Sequence, residues 1–287
     1  MSPLTRVVPL LSLTWMCACD DLSMATAVTG AGGATTATTS SFASSTASGT
    51  GGAADPHWSC LGEVEWPVIP AIPLKFVLGF HDMYDVTKKL SGAAVRLCPR
   101  SDISCDAPQA TGVTNDQGEA TLELDLPAGT QGWDGYAEVT PAAGSGYPVN
   151  LVVFTRPASN DPKFANDIID QQAIDAGVTI LTGAPPDPTM GVLAMTVLDC
   201  AHELAAGTTI AIAPAGAAKI GYFKNGVPKP SAVATDESGI AAVANVTPGF
   251  VTVTSTRVAT GETMGVVEVP VRAGAITTFG FDPTPLP

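Results

Sequence analysis

Three histidines, His57, His81 and His202, are the whole imidazole complement of this 287-residue chain. None lies at a spacing that hydrolytic or metal chemistry needs. His202-Glu203 opens like a zinc-protease helix motif, but no second histidine follows four residues on. The Gly-x-Ser-x-Gly turn that exposes a serine nucleophile is absent from the sequence. His81-Asp82, with Tyr84 and Asp85, reads as a polar loop after a strand. Glu119, Glu123 and Asp125 could face a calcium ion together with Asp116. Their alternation with Ala120, Leu122 and Leu124 reads instead as the wet face of a half-buried strand. With no Cys-x-x-Cys pair either, no metal and no cofactor are expected, and the chain is not expected to be an enzyme.

Binding chemistry is a better prospect than catalysis. Flat aromatic rings stack on sugar faces, and Trp58, Trp66, Trp133, Tyr136 and Tyr147 could form such a platform. Trp133 stands in the glycine-flanked stretch Gln131-Gly132-Trp133-Asp134-Gly135, which reads as a loop, so Trp133 with Tyr136 is the candidate ligand-binding pair. The formal charge of −14 disfavours nucleic acid, because an acidic surface repels phosphate backbones.

The elements that would position these residues are strands. Thr114-Asn115-Asp116-Gln117-Gly118 precedes the alternating run 119–126 and then Pro127. Thr235-Asp236-Glu237-Ser238-Gly239 precedes a strand and then Pro248-Gly249. Thr-to-Gly and Gly-to-Pro spacings are the same in both copies, which marks a duplicated unit. Asn115 or Asp236 can bond its side chain back to the turn, and Gly118 or Gly239 supplies positive φ. Ile72, Leu74, Phe76, Leu78 and Phe80 alternate in a strand before the first copy. Segments 95–97, 136–140 and 149–154 add strands to it. The second copy has strands at 192–199, 208–213, 231–235, 240–246, 250–256, 264–271 and 275–281. Short strands between Gly/Pro turns make the chain all-β, with two tandem antiparallel β-sandwich domains of transthyretin- or Ig-like type. Between them, Lys163 to Ala176 is expected to be a short helix that begins after Asp161-Pro162 and stops at Gly177. A Pro-rich link, 183–188, follows. The expected layout is a first sandwich over 56–156, a linker with the helix over 157–190 and a second sandwich over 191–287.

The segment 204–212, the turn Thr235 to Gly239 and Pro248-Gly249 resemble the carboxypeptidase regulatory-like, transthyretin-like sandwich. Residues 91–97, Thr114 to Gly118 and Pro127 repeat the pattern in the first copy. That resemblance implies a non-catalytic module of the kind found in adhesin stalks and surface proteins. Lys75, Glu123 and Asn150 lie on a first, a middle and a last strand. Adhesin sandwiches of the Cna B type use such a set to form a Lys–Asn amide, although three exposed polar residues are expected without any such bond.

The N-terminus carries an address. One positive residue, Arg6, precedes an apolar run from Val7 to Met16, as in a secretory signal over residues 1–18. Met16-Cys17-Ala18-Cys19 resembles the lipobox of bacterial lipoproteins, which implies lipidation at Cys19 and a membrane partner through the lipid. Residues 19–55 form an expected disordered tether of Gly, Ala, Ser and Thr, with a reach of roughly 30 Å. The resemblance implies that Cys17 leaves with the leader and Cys19 is acylated, so four cysteines remain in an exported protein. Of three connectivities, the short loop favours Cys98–Cys105, which leaves Cys60–Cys200. By chain entropy the short loop is worth about 2.5 kcal/mol and the long one about 5.

Together these features imply an exported, lipid-anchored envelope protein, at the outer membrane or cell surface rather than the inner membrane. Its sandwiches would serve adhesion, scaffolding or ligand binding, with a glycan or an envelope protein as partner. The alternative is a polysaccharide-binding accessory module of a hydrolase system.

Overall fold

The structure, a computed structural model, describes residues 56–66, 73–127, 129–130, 132–158 and 163–285. Cys19, the leader and the tether lie outside the described residues. Among the described residues the chain is nearly all β, with no helix long and apolar enough to cross a membrane.

The first half contains β1 (Pro73–Asp82), β2 (Ala94–Pro99), β3 (Ala110–Val113), β4 (Glu119–Asp125), β5 (Gly135–Thr140), β6 (Asn150–Val153) and β7 (Lys163–Ile168). Helix α1 (Gln171–Thr182) follows. The second half contains β8 (Gly191–Val197), β9 (Thr208–Ala213), β10 (Lys219–Lys224), β11 (Val227–Lys229), β12 (Ile240–Val246), β13 (Gly249–Arg257), β14 (Thr263–Val271) and β15 (Ile276–Phe281). Antiparallel pairing dominates, and it builds three sheets: β4-β1-β7, a nine-stranded sheet β11-β10-β12-β8-β15-β6-β5-β2-β3, and β14-β13-β9.

The long sheet runs through both halves because β15, the last strand of the second, pairs in parallel with β6 of the first. Ile276, Thr277 and Thr278 face Asn150, Leu151 and Val152 in that register. Alternate residues of the shared strands therefore enter different cores. Ala137, Val139, Val152 and Phe154 point into the first core with Phe76 and Leu78. Tyr136, Leu151 and Val153 point the other way, into the second core with Val253 and Val269. This two-sided burial explains why Gly135–Val139 and Asn150–Val153 are buried at every position, whereas β4 alternates.

The duplicated unit is visible bond by bond. The Thr114 hydroxyl donates to Leu90 O and accepts from the Ala93 amide, while the Thr235 hydroxyl donates to Ala205 O and accepts from the Thr208 amide. Asn115 Oδ1 accepts from the amides of Gln117 and Glu119 at 2.9 Å. Asp236 Oδ1 accepts from the amide and hydroxyl of Ser238 at 3.0 and 2.6 Å. Gly118 O accepts from the Phe80 amide as Gly239 O does from the Val197 amide. Burial works against the Asp236 carboxylate, but the bonds from Ser238 and Asn225 outweigh it and lower its pKa.

Two segments differ from the sequence expectation. Residues 163–168, expected to start a helix, form β7 and pair in parallel with β1, because the free edge of β1 needs backbone partners. The helix starts after Asp170, whose carboxylate caps the Ala173 amide, and ends at Gly183 with φ 78°. Gly177 lies inside it. Residues 231–235, expected to be a strand, are loop, and the strand pairing with β12 is β10. Its hairpin partner β11 follows Asn225-Gly226, both at positive φ, the signature of a tight hairpin turn.

A Cβ at Gly118 would lie 2.4 Å from Phe80 O, and one at Gly239 would lie 2.6 Å from Val197 O. Gly144 also has positive φ but open space around it. Gly118→Ala and Gly239→Ala should each cost about 2 kcal/mol or more, and Gly144→Ala about 1. Urea denaturation reads all three, and equal small losses at the three sites would contradict the close backbone approach at Gly118 and Gly239.

Candidate functional site

Two buried aspartates occupy equivalent places at the ends of β1 and β8. Asp82 Oδ1 accepts from the Tyr84 and Asp85 amides at 2.8 and 2.9 Å. Asp199 Oδ1 accepts from the Ala201 and Glu203 amides at 2.8 and 2.9 Å. In each, the other oxygen meets a partner brought from elsewhere, as a buried charge requires. Asp82 Oδ2 accepts from Tyr147 Oη at 2.7 Å, with Lys88 Nζ 3.7 Å away and 4.7 Å above the Tyr147 ring. Burial pushes the Tyr147 phenol up, and the bond to Asp82 adds to it. Asp199 Oδ2 meets His57 Nδ1 at 2.6 Å.

His57 belongs to the segment that precedes β1, yet this segment packs on the second half. The Cys200 amide donates to His57 O at 2.9 Å, and the Cys60–Cys200 disulfide spans 5.7 Å between Cα atoms. Trp58 lies under the Arg257 guanidinium, 4.7 Å from ring centre to carbon. Glu203 Oε2 stands 3.9 Å from His57 Nδ1, so one imidazole and two carboxylates converge at the mouth of this clip.

The seam between the halves carries the other polar cluster. Glu138, 3 % exposed, lies on β5 beside Tyr136. Its Oε1 accepts from Arg96 Nε at 2.9 Å and from Arg96 Nη2, and its Oε2 accepts from Arg272 Nη2. The same guanidiniums donate to Cys105 O and Ser104 O, carbonyls of the loop closed by the Cys98–Cys105 disulfide. The Tyr136 hydroxyl donates to Asp102 O of that loop, and burial pushes its pKa up to about 12. Arg100 bridges the halves as well. It pairs with Asp134 and donates to Phe154 O and Glu268 O, each at 2.6 Å. Beside it opens a cleft of about 370 Å³ lined by Trp66, Arg100, Asp134, Thr155, Glu268 and Thr284.

Both expected disulfides are present. The aromatic platform is corrected. Trp133 is 3 % exposed and Tyr136 is fully buried, so neither ring can stack on a ligand. Trp133 packs edge-on against Phe76 and Phe154, and its indole N–H donates to Gln109 Oε1 at 2.6 Å. Gly135 is what admits the ring, since a Cβ there would sit 2.4 Å from it. Trp66 is half-buried at the seam cleft with Arg156 5.8 Å from its ring centre, and it is the one platform residue lining that cleft. Lys75 and Glu123 face each other across β1 and β4 on the exposed side. Asn150 is fully buried on another sheet and accepts from the Thr278 hydroxyl at 2.9 Å, so the three do not meet. His81 pairs with Asp167, and His202 with Asp282. The meeting of His57 with Asp199 and Glu203 was invisible in sequence, where 142 residues separate His57 from Asp199.

No family model matches the chain, and no curated protein does. Among solved structures it is similar to the Bacillus anthracis TIE protein at 17 % identity and TM-score 0.27, covering 74 % of this chain. The chain spans about a third of that protein's length, 34 %. It is similar to the shaft pilin SpaA from Lactobacillus rhamnosus GG at 14 % identity and TM-score 0.22, covering 75 % of this chain and 100 % of the pilin. A variant of BcpA, the major pilin subunit of Bacillus cereus, gives 10 % identity and TM-score 0.24, with 74 % and 100 % covered. Superpositions this loose carry no argument about this chain.

Glu138→Gln leaves two guanidiniums facing a neutral amide. Because both arginines are partly solvated, the cost should be about 2 kcal/mol rather than the larger loss of a fully buried pair. Glu123→Gln on the wet face of β4 should change stability by less than about 0.5 kcal/mol. Equal denaturation midpoints for the two variants would remove Glu138 from the seam's energetics.

Proposed function

We propose that this chain is a non-enzymatic, lipid-anchored envelope protein that presents one rigid β body for adhesion, scaffolding or ligand binding. The observation that carries the reading is the way the chain enters its fold. The segment next to the tether crosses to the second half and is held there by Cys60–Cys200, while the first half joins the same body through the shared sheet. A single attachment point then carries both halves together. Two sandwiches on a free hinge would move separately. The lipobox-like Cys19 supports attachment by acylation, and the acidic composition argues against nucleic acid as partner.

Expression of the full chain in a bacterial host tests the anchor. The wild type should incorporate labelled palmitate and pellet with membranes, and Cys19→Ser should do neither. A Cys19→Ser protein that still pellets with label would overturn lipid anchoring at this residue.

A second reading, a polysaccharide-binding module, is favoured by the seam cleft. Trp66 offers a ring face, and Arg100, Asp134 and Glu268 offer the planar polar groups that recognise sugar hydroxyls. On a glycan array, Trp66→Ala should lose at least tenfold of any binding shown by the wild-type protein. Binding unchanged by that substitution would exclude the cleft.

A further inference from the structure

We propose that His57, Asp199 and Glu203 form a divalent-metal site of the zinc class, which fastens the segment after the tether to the second half. The three residues offer one imidazole nitrogen and two carboxylate oxygens, all within 4.8 Å of one another. That donor set suits a borderline ion with an imidazole ligand, whereas calcium takes six to eight oxygens. Zinc with three protein ligands keeps water in its fourth position.

The distances bracket what coordination requires. Bonds of about 2.0 Å to nitrogen and oxygen in a tetrahedron put the ligand atoms about 3.3 Å apart. His57 Nδ1 is 2.6 Å from Asp199 Oδ2 and 3.9 Å from Glu203 Oε2. The His57–Asp199 edge must open and the His57–Glu203 edge close, each by less than 1 Å, and the Asp199–Glu203 edge, within 4.8 Å, closes by at most about 1.5 Å through torsions of two exposed side chains. Asp199 need not move.

The backbone beneath is already assembled. Asp199 Oδ1 is held by two amides, which leaves Oδ2 directed at His57. The Asp199 amide donates to Glu203 O, the Cys200 amide to His57 O, and the Cys60 amide to Cys200 Sγ at 3.1 Å. The Cys60–Cys200 disulfide lies three residues from His57 and one from Asp199. Such support orients ligands before the ion arrives and reduces the ordering cost of binding. On binding, the imidazole presents its Nδ1 lone pair and keeps its proton on Nε2.

The first half supplies an internal comparison. Asp82 stands in the same place as Asp199, but its outer oxygen faces Lys88 and Tyr147. An ammonium carries no lone pair, so among the described residues the buried carboxylate of the first copy faces a cation where that of the second faces His57 and Glu203. A loaded site would be a second fastening of the clip, alongside the disulfide.

The test uses the exported full-length protein, stripped with EDTA and dialysed. Calorimetric titration with zinc sulfate should give one ion per chain, and cobalt(II) should give the visible bands of tetrahedral coordination. His57→Ala should weaken zinc binding at least tenfold and abolish those bands, Glu203→Gln should weaken it about tenfold, and His81→Ala should leave it unchanged. Glu203 is exposed, so its variant reports even where loss of His57 loosens the clip. Zinc affinity equal in wild type, His57→Ala and Glu203→Gln would overturn the site, as would absence of binding to the wild type.

Discussion

Parallel pairing between β15 and β6 is the constraint on which the rest depends. Without it, each half would be a separate two-sheet sandwich with a free edge. With it, the central sheet acquires a different core on each face, and residues of one strand are divided between them. Ala137 and Val139 belong to the first core and Tyr136 to the second. A strand so enclosed cannot keep a wet face, which is why the acid on β5 needs dedicated partners.

Glu138 shows how that demand is met. Two guanidiniums, one from each half, converge on a single buried carboxylate and also tie down the loop closed by Cys98–Cys105. The seam is therefore polar at its margin and apolar within, with Arg100 closing it further along. The aspartates at the ends of β1 and β8 follow the same logic on a smaller scale. Each caps its own turn with one oxygen and recruits a distant side chain with the other. In the second half that recruit is His57, which draws the segment 56–66 onto a half that it precedes by more than a hundred residues.

The candidate sites follow from this arrangement rather than from any motif. The seam cleft exists where the halves adjoin, with Arg100 and Trp66 both in its lining. The His57 cluster exists because a duplicated turn leaves one carboxylate oxygen pointing outward. Each needs a residue brought from far away in sequence, His57 to Asp199 and Trp66 to Arg100, so spacing rules for catalysis or metal binding could not have located them.

Local chemistry made much of the fold legible in the chain itself. The alternation of 119–126, the paired Thr-to-Gly turns and the short Cys98–Cys105 loop are local patterns, and local sterics and hydrogen bonding suffice to determine them. Asn225-Gly226, which the expectation of a strand at 231–235 passed over, is a local signal of the same kind for the hairpin of β10 and β11. What only the tertiary structure decided is what lies on the far side of each strand. Trp133 reads as a loop residue because glycines flank it, but one of them, Gly135, makes room for its ring in a core. Residues 163–168 read as a helix start, but the open edge of β1 drew them into a sheet. Burial and edge pairing are decided by partners distant in sequence, and no pattern within a segment records which partner will arrive.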